Sequence, residues 1–536
     1  MNRSTPHEVK KIILALACLS SPLYADQDQQ LKSEIQRLQH QAEDLQAQLN
    51  RLQKQLANHK SSQQKHEQQA AAKPAEPKSK PTAKSGAAIE EKYHSSKVEV
   101  HAPDAHPESI SFYPTALIAD NRVVTYIAGT PVVSSPFLGD RPAFDGSDYI
   151  VNISSINRDV RLLQQRRRLY RAYQKIGYPI PNMPIISLSG KTEPAATFNN
   201  PFRSTNTDGD ITLGSSELDV AAALNENVEA YIAIAYDESP PAIGPRVNNS
   251  AFNLNMGFVN IGNLDKSPLY FTAGQVYVPF GRYSSAMVSA PVTMNLARTK
   301  TRPVIFGYKS QGDTGPFGAV YGYRSDTTLG RSGVGGVNLG YIFGFDNDIN
   351  GEIGGGFISS VADAGGMQST GSNVGTTFGG FGSITNGNEN VRKTKAADIH
   401  GHVGYDRYNL TLEWVGAVQS FRPQDLSFNG QGARPQAAQA ELGMTFMAFN
   451  RPASIGVGYQ WTKEALALNL PKQRYIGVFN ISIWKDTVES IEYRHDIDYG
   501  LTQFANGAAP PGFVNLPTLG TGKSADTVSA QIGVYF

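Results

Sequence analysis

The last nine residues of the sequence, VSAQIGVYF at positions 528–536, decide the fold class. From Val528 to Phe536 every second residue is apolar, and the residues between them are Ser, Gln, Gly and Tyr. A period of two indicates a β-strand with one apolar face and one more polar face. Most chains end in a few disordered residues, whereas a strand that closes a barrel has no room for a tail in its seam. The stretch therefore predicts a closing barrel strand.

The same alternation recurs in short segments over most of the chain. In LTLEWVGAVQ, Leu410, Leu412 and Trp414 share one face, and Thr411 and Glu413 lie on the other. The polar faces carry small, amide or paired charged residues, without the dense charge of the outer face of a soluble sandwich. This pattern is typical of an outer-membrane strand, with lipid outside and water inside.

Sixteen segments with this alternation are predicted. They begin near Ile186, Ile211, Val228, Phe252, Tyr270, Pro303, Phe317, Val334, Gly351, Ala396, Asn409, Ala437, Ala453, Gln473, Thr487 and Ala525. Short links, such as DRY at 406–408, alternate with long ones, such as 364–392 and 501–523. Because outer-membrane barrels join their strands by short periplasmic turns and longer outer loops, residues 185–536 are predicted to form an all-β, transmembrane antiparallel β-barrel of about 16 strands. Both ends of the barrel are predicted to be periplasmic.

Composition argues against several classes of protein. The 536 residues include 51 Gly, 10% aromatic residues and a near balance of 48 basic and 47 acidic side chains. That balance argues against a nucleic-acid partner. We find no Ser-centred nucleophile elbow, phosphate-binding loop or zincin helix, so neither an enzyme nor a cofactor is expected. Beyond the N-terminus no run of about 18 apolar residues occurs, so membrane insertion is expected through the barrel.

Residues 1–25 are predicted to be a secretory signal peptide. Lys10 and Lys11 precede an apolar run, and Ala25 supplies a small residue at its end. The single cysteine, Cys18, lies inside this stretch, so the mature protein would have none, as suits an oxidising compartment without disulfides. The alternative is a lipoprotein anchored through Cys18, but Ala15 stands where a larger aliphatic residue is preferred.

Residues 26–58 are predicted to form a periplasmic coiled coil. Apolar residues follow at alternating spacings of four and three, at Leu31, Ile35, Leu38, Ala42, Leu45, Leu49, Leu52 and Leu56. One helix alone cannot bury such a seam, so a homo-oligomer is expected, either a dimer or a trimer. The alternative is a single helix that folds back on its own chain. Residues 59–109 are rich in Gln, Lys, Ala and Pro and are predicted to be a flexible linker.

Residues 110–184 are too apolar for a linker and end in a basic helical stretch. Leu162, Leu169, Tyr173 and Ile176 fall on one side of this helix. The basic residues around them include Arg166, Arg167, Arg168 and Arg171. Two interpretations of this plug-like or periplasmic segment remain open. It could be a solvated helix packed at the base of the barrel, or a small plug that lines the lumen.

Two stretches carry a family resemblance. TYIAGTPVVSSPFLG at 125–139 and VYVPFG at 276–281 resemble the LbtU-type siderophore porin family of intracellular Gram-negative pathogens. The resemblance implies a barrel embedded in outer membrane lipid that passes a ferric siderophore or similar iron chelate into the periplasm. Phe536 resembles the C-terminal signal that the barrel-assembly machinery reads, so that machinery is an expected partner. The alternatives are a passive porin for another small anionic solute and a structural outer-membrane protein tethered by its coiled coil.

Candidate constriction residues lie in FGRYSSAMVSAPVTMNLARTKTR, residues 280–302, which follows the fifth predicted strand. Porins commonly fold a loop inward at this point, so Arg282, Arg298, Lys300 and Arg302 are predicted to narrow the pore, helped by the basic helix around Arg166–Arg171. Guanidinium groups bind carboxylates bidentately and keep their charge, which suits an anionic iron chelate. The alternative is that these residues neutralise lipid headgroups or neighbouring acids.

A candidate metal cluster lies in DIHGH, where Asp398, His400 and His402 share one face of a strand. Alternate positions on a strand are about 7 Å apart, so these residues would share an ion only with help from a neighbour such as Glu413. The alternative is that they are ordinary polar residues of the lumen.

Overall fold

The computed structural model describes residues 123–127, 130–134, 157–175, 184–202, 207–237, 251–312, 314–325, 332–345, 349–369, 392–423, 425–484, 487–506 and 519–536. The predicted signal peptide, coiled coil and linker lie outside the described residues, as does part of the segment 110–184.

The helices described are α1 (Arg158–Lys175), α2 (Val292–Ala297) and α3 (Gly365–Ser369), with a 3₁₀ turn at Leu466–Leu468. None of these helices is both long and apolar enough to cross a bilayer. The strands are β1 (Val123–Ile127), β2 (Thr130–Ser134), β3 (Ile185–Asn200), β4 (Asp208–Ala223), β5 (Val228–Asp237), β6 (Ala251–Gly262), β7 (Leu269–Tyr277), β8 (Lys300–Thr301), β9 (Val304–Lys309), β10 (Gly315–Arg324), β11 (Gly333–Phe345), β12 (Ile349–Ile358), β13 (Ala396–Tyr405), β14 (Tyr408–Ala417), β15 (Ser427–Phe428), β16 (Gln431–Gly432), β17 (Gln436–Ala448), β18 (Arg451–Lys463), β19 (Gln473–Ile481), β20 (Thr487–Ile497), β21 (Ala505–Asn506) and β22 (Ser524–Tyr535).

Sixteen of the described strands form one closed antiparallel barrel. Each barrel strand pairs with the next one along the chain, with β7 joined to β9, β14 joined to β17 and β20 joined to β22. β22 then pairs with β3 and completes the circle. The predicted barrel is confirmed, and each of its strands begins within three residues of its predicted start.

The barrel strands carry apolar side chains on their outer face and polar side chains on their inner face, the reverse of a soluble protein. On β14 the outward Leu410 and Leu412 are 39% and 48% exposed, whereas the inward Thr411 and Glu413 are 3% and 4% exposed. The same inversion holds on β20, where Ile491 is exposed and Glu492 is buried. An apolar exterior around a polar interior is the arrangement of a barrel that spans a membrane.

The strands are joined by short turns at one end of the barrel and by longer segments at the other. Two-residue turns, at 406–407 and 449–450, lie at the first end. At the second end the strands are connected by longer segments, such as residues 359–395 and 498–523. At the short-turn end the β3–β22 seam finishes where the Phe536 N–H donates to the Gly190 carbonyl at 2.9 Å. Beyond that point β2 pairs in parallel with Ile186–Leu188, so the β1–β2 hairpin covers an edge of β3 that β22 does not reach.

A bulge in the β3–β4 pair depends on one glycine. Glu193 faces both Gly214 and Ser215, and Gly214 has a φ of +64°. A Cβ atom at Gly214 would lie 1.8 Å from the Glu193 carbonyl oxygen. A side chain therefore meets both an unfavourable backbone angle and a collision with the main chain of the neighbouring strand.

We expect Gly214→Ala to lower the free energy of unfolding of the barrel by about 1–3 kcal/mol, because the bulge must deform to admit the methyl group. Urea titration of the refolded protein in detergent micelles measures this change. Gly322→Ala on β10 is the control, since its Cβ would come no closer than 3.8 Å to a neighbouring atom, the Val334 carbonyl oxygen. If Gly214→Ala and Gly322→Ala lost the same free energy of unfolding, the bulge would not depend on the glycine at position 214.

Candidate pore constriction

The segment that follows β7, residues 278–299, folds into the barrel and is called the inward loop. It contains α2, and Val278, Phe280 and Leu296 within it are fully buried. Its hydrogen bonds reach side chains on β12, β14, β17, β18, β19 and β20. The loop therefore crosses the lumen to the strands that follow it around the wall.

Among the described lumen residues, three carboxylates hold the main chain of the inward loop. Glu413 on β14 accepts from the Arg282 N–H at 2.6 Å and the Tyr283 N–H at 3.1 Å. Glu441 on β17 accepts from the Ala286 N–H at 3.1 Å and the Ser285 hydroxyl at 2.8 Å. Glu492 on β20 accepts from the N–H groups of Val288 and Ser289 at 2.6 and 3.0 Å and from the Ser289 hydroxyl.

These contacts satisfy the irregular backbone of the loop. N–H groups outside regular structure need a partner when they are buried, and a carboxylate is a stronger acceptor than a neutral oxygen. Amide side chains extend the set, because Gln460 accepts from the Val292 N–H at 3.0 Å and Asn480 donates to the Ala286 carbonyl at 3.3 Å. The inward loop is thus tied to the wall at several points along its length.

The structure brings together some of the predicted basic residues of the loop. The guanidinium of Arg298 lies 4.6 Å from the centre of the Tyr277 ring, and the Lys300 ammonium lies 5.6 Å from the same centre. Lys300 also donates to Asn255 at 2.9 Å. Arg282 lies elsewhere, with its Nη1 2.6 Å from a carboxylate oxygen of Glu352 on β12.

Arg302 stands apart from this group. It is exposed and lies in phase with Val304, Phe306 and Tyr308, the outward residues of β9. The alternation of β9 therefore places Arg302 on the outer side of the wall, away from the ring of Tyr277.

The first turn of α1 is bound to the inner wall of the barrel. Arg158 donates to the Tyr231 hydroxyl at 3.0 Å, and that hydroxyl donates to Asp219 at 2.5 Å. Asp159 accepts from the Thr272 hydroxyl at 2.9 Å. Burial raises the pKa of the Asp159 carboxyl above its usual value, and the Thr272 hydrogen bond acts in the opposite direction.

Further along α1, two of the predicted basic residues make contacts at the short-turn end. Arg166 donates to the Gly262 carbonyl at 2.7 Å and lies 3.7 Å from Glu229. Arg167 donates to the Gln311 carbonyl at 2.8 Å. Arg168 and Arg171 lie on α1, but their side chains are outside the described part of the structure. The described contacts of Arg166 and Arg167 attach the helix to the barrel wall.

Two further arginines beside the inward loop were not singled out in the sequence. Arg474 on β19 lies 2.7 Å from Asp496, and Arg494 on β20 lies 3.0 Å from the same carboxylate. Arg494 also donates to the Ser289 hydroxyl at 3.0 Å, and Arg474 donates to the Ala290 carbonyl at 3.3 Å. The alternation of β20 placed Arg494 and Asp496 on the inner face, but nothing in the sequence showed that the inward loop would reach them.

The predicted metal residues face the lumen but form another arrangement. Asp398 and His400 share a hydrogen bond of 2.8 Å, and His400 lies 3.7 Å from Glu352. His402 instead contacts the Thr411 hydroxyl at 3.1 Å. Within the described ranges, no group of three or more His, Cys, Asp or Glu side chains could hold a metal ion. The geometry favours a chain of polar contacts that ends on the Arg282–Glu352 pair.

These features define a class of protein, a membrane-spanning 16-stranded barrel with a loop folded into its lumen. No family model matches the chain. A UPF0422 protein of Legionella pneumophila strain Philadelphia 1 is 97% identical over 98% of this chain and 99% of its own length. A UPF0422 protein of Coxiella burnetii is 36% identical over 75% of this chain and 83% of its own length. The chain belongs to the UPF0422 family.

Solved structures give weaker matches. The outer membrane channel DcaP of Acinetobacter baumannii matches with a TM-score of 0.41 and 12% identity, over 66% of this chain and 97% of the channel. An anion-selective porin from Comamonas acidovorans matches with a TM-score of 0.40 and 12% identity, over 66% of this chain and 99% of the porin. At these values the comparison supports no conclusion about the cargo of this protein.

We expect the double variant Glu441→Gln, Glu492→Gln to loosen the inward loop. Each amide keeps one acceptor oxygen but loses the charge, and a neutral hydrogen bond contributes about 1 kcal/mol less than a charged one. Single-channel recordings in planar bilayers should show a larger mean conductance and more open-channel noise than the unmodified protein.

Glu226→Gln is the matched control, because Glu226 lies in an exposed turn and pairs with Lys266 outside the lumen. Its conductance and noise should equal those of the unmodified barrel. Unchanged recordings from the double variant would show that the carboxylates do not hold the loop.

Proposed function

We propose that this protein is an outer-membrane porin that passes a small anionic solute, and that this solute is a ferric siderophore. The observation that supports the proposal is the inward loop, which crosses the lumen and carries Arg282 and Arg298, with Lys300 directly after it. The resemblance of the VYVPFG stretch, residues 276–281, to siderophore porins supports the choice of an iron chelate.

An anion would be attracted by basic side chains near its path and not by the net charge of the whole protein. The formal net charge of the chain is +1, so the field of the whole molecule steers an anion only weakly. Arg298 and Lys300 lie over the same ring of Tyr277, where they place two positive charges at the end of the inward loop. A guanidinium in a narrow, partly dry passage attracts a carboxylate more strongly than it does in open water.

We expect Arg298→Gln to shift the reversal potential of the channel away from anion preference. The uptake of labelled ferric siderophore by iron-starved cells should fall about two- to fivefold, as for the loss of a partly solvated ion pair. Arg302→Gln is the control, because it removes the same charge from the exposed side of the wall. Equal uptake in the two variants would remove Arg298 from the proposed path.

The porin and its cargo are tested separately. If the purified barrel forms no pores in planar bilayers, the porin proposal fails and a structural outer-membrane protein becomes the better interpretation. If the barrel conducts but deletion of its gene leaves siderophore uptake unchanged, only the iron chelate is wrong. A passive porin for another small anionic solute then takes its place.

The predicted coiled coil at residues 26–58 supports a further proposal, that the protein is a homo-oligomer. Deletion of residues 26–58 should weaken chemical crosslinking between copies while the barrel still inserts, because the seam and the barrel would bury separate apolar surfaces. Gel migration of heated and unheated samples checks insertion of the barrel. Crosslinking of the full chain that yields monomer alone would contradict the proposal.

A further inference from the structure

A cluster of buried polar side chains lies on the inner wall beside the inward loop. Asn338 on β11, Gly356 on β12 and Asp398 on β13 are direct cross-strand neighbours. Because Gly356 has no side chain, Asp398 leans across it, and its Oδ2 atom lies 2.4 Å from the position that a Cβ of Gly356 would occupy. In the same way Tyr321 on β10 leans over its partner Gly336, with its hydroxyl 2.2 Å from the corresponding Cβ position.

The inward loop covers this cluster. Phe280 lies 3.4 Å from the Cβ position of Gly356. Tyr283 is almost completely buried, and the charges of Glu413 and Asp398 act on its phenol. Burial raises the pKa of Tyr283 well above its usual value, so its phenol keeps the proton and remains a hydrogen-bond donor. We call the site formed by Tyr283, Tyr321, Asn338 and Asp398 over Gly356 the tyrosine recess.

Four buried polar atoms of the described residues in the tyrosine recess have no hydrogen-bond partner. They are the hydroxyls of Tyr283 and Tyr321, Asn338 Oδ1 and Asp398 Oδ2. A buried polar atom without a partner costs about 1–3 kcal/mol, so four together favour an occupant that bonds to them. The two phenols can donate, and the amide and carboxylate oxygens accept.

The backbone around Tyr283 gives a second, independent observation. Tyr283 has a φ of +59°, which is rare for an aromatic residue, and Gly281, two residues earlier, has a φ of +76°. The N–H groups of Arg282 and Tyr283 are held by Glu413. Backbone strain of this kind persists where the surroundings enforce it, and it clusters at binding sites. Here it turns the ring of Tyr283 back over Gly281, whose Cβ position would lie 2.4 Å from the Tyr283 hydroxyl.

The charges around the tyrosine recess indicate which kind of ligand it favours. Asp398 shares its other oxygen with His400 at 2.8 Å, and Arg298 acts electrostatically on Tyr283. The carboxylates of Asp398 and Glu413 and the basic side chains of His400 and Arg298 offset one another, so the site favours neither a cation nor an anion. A pair of neighbouring hydroxyl groups fits better, because it can donate to the amide and carboxylate oxygens and accept from the two phenols.

We infer that the tyrosine recess is a binding subsite for a neutral, hydroxyl-rich group of a solute. The inference rests on the proposed porin function in one respect, since the solute reaches the recess through the lumen. The group enters when the turn at Phe280–Tyr283 moves, and it replaces the missing partners of the four polar atoms.

Binding is tested with mannitol as the probe. Saturation-transfer NMR on the full chain in detergent micelles should detect mannitol but not glycine betaine, which has no hydroxyl group. Tyr321→Phe and Tyr283→Phe each remove one hydroxyl and should weaken mannitol binding about three- to tenfold. Tyr341→Phe on the exposed face of β11 is the matched control and should leave binding unchanged.

Two results would overturn the inference. One is a mannitol signal that is the same in the unmodified protein and in both recess variants. The absence of a mannitol signal from all three proteins counts equally, because it indicates a recess that holds water alone. The other is binding of methylammonium in place of mannitol, with its loss in Asp398→Asn, which would make the recess a cation site.

Conductance of the same samples separates this inference from the porin proposal. A conducting barrel that does not bind mannitol overturns the subsite alone. A barrel that binds mannitol through Tyr321 but conducts no ions overturns the porin proposal and leaves the recess as a binding site. Heat-modifiable gel migration confirms that each variant has folded.

Discussion

A polypeptide in the core of a bilayer must satisfy its backbone hydrogen bonds internally, and most of this structure follows from that constraint. Water is absent there, so each unpaired N–H or C=O costs several kcal/mol. The sixteen long strands described here meet the constraint by closing on themselves, with β22 paired to β3. At the short-turn end, where that seam finishes, β2 takes over the pairing with Ile186–Leu188. Closure leaves the outward side chains free to be apolar and the inward ones free to be polar.

The same constraint governs the inward loop. A loop inside the lumen gives up the regular pairing of a strand, so its N–H groups need other acceptors. Glu413, Glu441 and Glu492 supply them from β14, β17 and β20. Each carboxylate is buried, and a buried charge is tolerated where hydrogen bonds compensate its lost hydration. The acids of the lumen wall thus position the inward loop, a role that sequence analysis did not assign to them.

Pairing also limits what the basic residues of the lumen can do. Arg282 lies against Glu352, and Arg474 and Arg494 share Asp496. A guanidinium that is already paired attracts a passing anion less than an unpaired one, because its field is largely cancelled at short range. Arg298 and Lys300 lie over the Tyr277 ring, the part of the lumen to which the proposed selectivity is assigned. Gly336 on β11 and Gly356 on β12 also shape the inner wall, because they leave room for the side chains of Tyr321 and Asp398.

The sequence by itself determined the barrel, because alternation along a strand is a local property. A period of two, repeated between turn signals, was enough to place sixteen strands, and the face assigned to Leu410 and Glu413 was correct for the same reason. The position of the inward loop after the fifth strand was also predictable. The partners of that loop were not, since Arg282 and Glu413 lie more than a hundred residues apart and meet because the loop crosses the lumen. The alternation of β9 put Arg302 outside, whereas Asp398 became part of a recess through glycines on other strands. Local periodicity fixes which way a side chain points, but only the closed barrel decides what it faces.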